Sequence, residues 1–112
     1  MAAREGQLRF CHTAISSGWI EPGVDPEFLA DQLADTFNAL LRRWAGSGQT
    51  TPYLHCRCEH AMAALLAGVA TPLAEARLRA RIHGAQSRAQ ALIGAGEAYL
   101  TAQTLPAAHS KI

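Results

Sequence analysis

Along residues 29–44 the apolar side chains Leu29, Leu33, Phe37, Leu40, Leu41 and Trp44 recur at intervals of mostly three and four, with Ala30 and Ala34 beside them. Asp31, Asp35, Asn38 and Arg42 fall on the other side. That spacing predicts a helix with a wide apolar stripe. Downstream, Leu54, Cys58, Met62, Leu65 and Leu66 form a second such stripe, and on the same stretch Cys56, His60, Ala63 and Ala67 make a second side of small residues. Small side chains allow another helix to come close. No segment alternates with the period of two that a half-buried strand requires. The pattern predicts an all-α fold, a helical bundle of about four helices.

Punctuation sets the helix limits. A Thr or Asp stands directly before proline at Asp25-Pro26, Thr51-Pro52 and Thr71-Pro72, and glycines precede these sites at Gly18, at Gly46 with Gly48, and at Gly68. Proline suits the first helical turn because its missing N–H would have no partner there, and it pushes the residue before it toward the extended shape of an N-cap. Glycine tolerates the left-handed turn that closes a helix. The predicted helices run from about Arg4 to Ser17, Pro26 to Ala45, Pro52 to Ala67, and onward from Pro72. In the first corner Val24 and Leu29 occupy staple positions, and Trp19 can fold back on Ala14 in a Schellman stop. From Arg77 the apolar pattern weakens, and Gly84, Gly94 and Gly96 each disfavour helix by about 1 kcal/mol relative to alanine. This places a domain over residues 1–84 and a helix end with a fraying tail over residues 85–112.

With 112 residues, 49% of them hydrophobic, the chain supports a single core. Its formal net charge of +1 excludes a whole-chain attraction to nucleic acid or acidic surfaces. The apolar run from Ala61 to Ala70 is half of what a bilayer needs, and the first residues lack a signal-peptide core, so the expected location is cytoplasmic with no membrane partner. Three cysteines, an odd number, fit reduced thiols better than a disulfide framework. Two sticky faces on one short helix point to a homodimer; the alternative is a helix buried on both sides within one subunit.

The chemistry-bearing clusters are few. In Leu54-His55-Cys56-Arg57-Cys58-Glu59-His60, Cys56 and His60 share a face and could hold two corners of a metal site, four across a two-fold axis, but neither Cys-x-x-Cys nor His-Glu-x-x-His occurs. The plainer reading has Cys58 in the core, Cys56 and His60 at a helix contact, and no metal. Gly94-Ala95-Gly96 lacks the third glycine and the preceding strand of a dinucleotide loop. Arg77, Arg81 and Arg88, with Arg79 flanking, read as a solvated helix face rather than a phosphate site. No cofactor motif, Ser-His-Asp grouping or paired-carboxylate motif is legible, so the chain reads as a binder rather than an enzyme.

The run Ala14-Ile15-Ser16-Ser17-Gly18-Trp19-Ile20, then Pro22-Gly23-Val24-Asp25-Pro26-Glu27-Phe28-Leu29-Ala30-Asp31-Gln32-Leu33, then Asn38-Ala39-Leu40-Leu41-Arg42-Arg43-Trp44, resembles the C-terminal half of TetR/AcrR-type transcriptional regulators. Leu65-Leu66-Ala67-Gly68-Val69-Ala70 is similar to the close of their last long helix. The likeness covers about residues 8–75 and is one of punctuation and apolar pattern. It implies an effector-binding domain that dimerises through its last two long helices, here the second and third. It also implies a pocket for a small apolar effector lined by Phe10, Ala14, Leu33, Phe37 and Leu40, and a dimer contact built from Leu41, Trp44, Cys56, His60, Ala63 and Ala67. The helix-turn-helix that begins such regulators has no counterpart here, so DNA contact is expected only through a missing N-terminal part. The rival readings are a ligand-free helical dimer serving as a structural interaction module, and a thiol or metal sensor at Cys56, Cys58 and His60.

Overall fold

The computed structural model describes the backbone of residues 2–109 and the side chains of residues 4–95. It consists of α1 (Ala2–Ser16), α2 (Pro26–Ala45), α3 (Thr51–Ala67) and α4 (Pro72–His109). The all-α expectation holds, and its limits follow from local chemistry.

The corner between α1 and α2 is built as its residues dictate. Gly18 has φ +79°, which lets the Trp19 N–H reach back to the Ala14 carbonyl at 2.9 Å while the Gly18 N–H bonds Ile15 O at 3.1 Å, a complete Schellman pair. Asp25 then caps α2, its Oδ1 accepting from the Glu27 N–H at 2.8 Å and the Phe28 N–H at 3.4 Å. Val24 packs on the cluster that contains Leu29. At α3 the cap is Thr50 rather than Thr51: its hydroxyl oxygen accepts from the Tyr53 N–H at 3.3 Å. Pro52 lies one place deeper, still in the first turn, where N–H groups have no intrahelical acceptor.

Thr71 behaves differently again. Its hydroxyl donates to Gly18 O at 2.6 Å, and its N–H donates to Trp19 O at 3.0 Å. The Glu21 N–H in turn donates to Val69 O at 3.0 Å, so the α1–α2 corner and the α3–α4 turn are joined across an isolated bridge between Ile20 and Ala70. Four helix ends therefore meet at one node. Ile20, 2% exposed, fills its centre within a core of Cys11, Ala14, Leu29, Ala30, Leu33 and Leu66.

The largest departure from expectation is α4. It runs unbroken through Gly84 and the expected 84/85 boundary, and its backbone stays helical through Thr101 to His109, where fraying was expected; residues 110–112 lie outside the described part. Gly84 is tolerated because the next residues are anchored: Ala85 and Ala89 are buried along the contact of α4 with α3. On α3 the matching small residues Cys56 and Ala63 are buried as well, at 8% and 4% exposure. Arg88 of α4 pairs with Glu59 of α3 beside this seam. The small-residue side of α3 thus holds a neighbouring helix close, and that helix belongs to the same chain.

Candidate ligand-binding cleft

α1 presents two sides. Leu8, Cys11 and Ile15 pack toward α2, whereas Gln7, Phe10, Ala14 and Ser17 form a separate stripe about a quarter-turn or more away. Facing that stripe are Glu59, Met62, Ala63 and Leu66 from α3 and Ala74, Arg77, Leu78 and Arg81 from α4, the last four at positions i, i+3, i+4 and i+7 of one helical face. Trp19, Ile20 and Leu33 close the end nearest the node, and the space enclosed is an open-sided cleft of about 560 Å³. This falls inside the roughly 300–1,000 Å³ of typical small-molecule sites.

Three of the five residues expected to line a pocket, Phe10, Ala14 and Leu33, are brought together here. Phe10 stays 50% exposed because the cleft opens beside it. Phe37 and Leu40 are not in this cleft. Phe37 sits one turn beyond Leu33 on α2, about 6 Å farther along the helix, and is half-buried outside the lining. Leu40 instead lines a recess of about 220 Å³ with Trp44, Tyr53, Leu54 and Arg57.

The residues expected at a dimer contact also separate. Cys56 and Ala63 are buried within this chain, so they are not free to face a partner. Among the described residues no group of three or more His, Cys, Asp or Glu side chains is placed to hold a metal ion. The Trp44 indole N–H closes the α2–α3 turn on Thr50 O at 3.0 Å. His60 and Ala67 are half-buried, which leaves Leu41, 37% exposed, as the one large apolar side chain of the six on the surface.

Arg77 and Arg81 are solvent-exposed, as the solvated-face reading expects, and they also border the cleft together with Glu59. Arg77 stacks over Trp19, 5.1 Å from the ring centroid. Arg79 pairs with Glu75 and Arg88 with Glu59, so among the described residues Arg81 alone of the four has neither an ion pair nor an aromatic partner. The hydrogen bond to Glu59 holds the Arg88 guanidinium still more firmly charged. The sequence signal for these side chains was present as an i, i+4 pair, Arg77 and Arg81, but a charged pair on a weak apolar pattern reads as a solvated face until a wall stands opposite it.

No protein-family model, curated protein or solved structure matches the chain. The likeness to TetR/AcrR-type regulators therefore rests on the residues named above. No described helix is long and apolar enough to cross a membrane.

Proposed function

We propose that the chain is the ligand-sensing and dimerisation part of a TetR-like cytoplasmic transcriptional regulator, with DNA contacted by a separate domain and not by these residues. The observation that carries the sensing half is the 560 Å³ cleft lined by Phe10, Ala14 and Leu33 together with the α3–α4 face. A ligand seated there touches α1 on one side and the α3–α4 hairpin on the other, and stabilises the spacing that fits it. Such differential contact is the requirement for a population shift. The node of Gly18, Trp19 and Thr71 is the natural pivot, because α1 and the hairpin are joined by backbone bonds there and diverge away from it.

Pairing of two copies draws on less surface than the resemblance implies, since α4 takes the small-residue side of α3. The surface left for it centres on Leu41. A second reading, a helical interaction module without ligand, is favoured by the exposure of Phe28 and Leu73, at 72% and 66%. Thermal-shift screening against small apolar compounds, combined with size-exclusion chromatography and light scattering at micromolar concentration, separates the two. The regulator reading expects stabilisation by some compounds and a dimer mass. A monomer that no compound stabilises rejects it, and a dimer without ligand response favours the interaction module.

A further inference from the structure

We infer that the cleft takes an amphipathic monoanion, an apolar body carrying one carboxylate, rather than a neutral apolar molecule. This rests on the cleft being a ligand site. Phe10, Met62, Leu66 and Leu78 offer the apolar body a surface, while the charged groups facing the space are Arg77, Arg81 and Glu59. Glu59 is neutralised by Arg88 outside the lining, so the cleft carries the field of two guanidiniums. Arg77 is fixed by its stack on Trp19, which aims one cation at the rim without using its donors on a carboxylate. Arg81, one turn on along the same face, has no acidic partner among the described residues. A planar fork of N–H donors with no acceptor matches a carboxylate in charge and in geometry. A cationic ligand would meet two like charges, and a neutral one would leave both donors to water.

The test uses isothermal titration calorimetry of the full chain with three probes of one shape: 2-naphthoate, 2-naphthol and 2-naphthylmethylamine. The expected result is naphthoate binding about tenfold tighter than naphthol, the size of one charge-assisted hydrogen bond partly open to solvent, with the amine weakest. Raising the ionic strength from low to physiological weakens naphthoate and leaves naphthol unchanged. Arg81→Gln reduces the naphthoate preference to about twofold, whereas Arg79→Gln, which alters an arginine outside the cleft, keeps it. Circular dichroism checks that both variants fold, and the salt dependence of the unaltered chain gives an answer independent of either. Naphthol binding as tightly as naphthoate, or a preference for the amine, overturns the anion while leaving the cleft a ligand site. Failure of all three probes to bind at millimolar concentration overturns the site itself.

Discussion

Cys11 and Cys58 carry the same thiol in different surroundings. Cys11 is 0% exposed at the α1–α2 contact and Cys58 is half-buried, and in both burial pushes the thiol above its ordinary pKa by disfavouring the thiolate. Thiolate is the reactive form, so neither side chain is poised as a nucleophile. With a disulfide reagent at neutral pH, Cys58 is expected to react first and Cys11 last, its rate following global unfolding. Peptide mapping of the labelled chain reads that order directly. The sign of the pH effect follows from the same shifts. A thiol whose folded pKa lies above the unfolded one keeps its proton longer in the folded chain, so its contribution to stability is complete below about pH 8.5 and declines as pH rises through that value. Urea midpoints that held level as the pH was raised from below to well above the ordinary thiol pKa would contradict it.

At the scale of elements, the α3–α4 seam is the feature on which the architecture turns, and two adjacent residues test it with opposite signs. Ala85 is 0% exposed in the seam, where added methylenes must push the helices apart. Ala85→Leu is expected to cost about 1–3 kcal/mol by overpacking. Gly84 lies just off that line, and a Cβ there meets only the flexible guanidinium end of Arg88, at 3.3 Å. Arg88 is surface-exposed and can yield a few tenths of an ångström, so Gly84→Ala is expected to stabilise the helix by about 0.5–1 kcal/mol. Equal destabilisation by both changes in chemical denaturation would mean that α4 does not pack with this face inward. The helix starts and stops in these elements were legible because capping and backbone conformation are set by a few neighbouring residues. The continuation of α4 past Gly84 was not, since the propensity lost at one glycine is outweighed by side-chain burial against a helix distant in sequence.

Across the whole molecule, the node at Ile20 joins what the helices alone would leave hinged. Thr71 is its centre, with a hydroxyl bond to Gly18 O and a backbone bond to Trp19 O. Thr71→Val keeps the shape and the backbone bond but removes the hydroxyl, and is expected to lower stability by about 1 kcal/mol. If the node is the pivot of the cleft, the same variant also changes ligand affinity although Thr71 does not line the cleft. A calorimetric titration with 2-naphthoate that gave an unchanged affinity would detach the node from sensing. Of the candidate site, Phe10, Ala14 and Leu33 were named by the resemblance to TetR/AcrR-type regulators and not by periodicity. Phe37 and Leu40 share a stripe with Leu33 and still miss the cleft, because the stripe runs on along α2 beyond Leu33, the one α2 residue of the lining.

By itself the sequence determined that the chain is helical, where its first three helices begin and end to within a residue or two, and that α3 has two buried sides. These are consequences of capping groups, glycine conformation and periodicity, all local. The tertiary structure decided that α4 packs on the second side of α3, and that the exposed Arg77 and Arg81 border an open cleft. The physical reason is that periodicity specifies which side of a helix avoids water and side-chain size specifies how closely a neighbour can approach. Neither specifies whose helix the neighbour is.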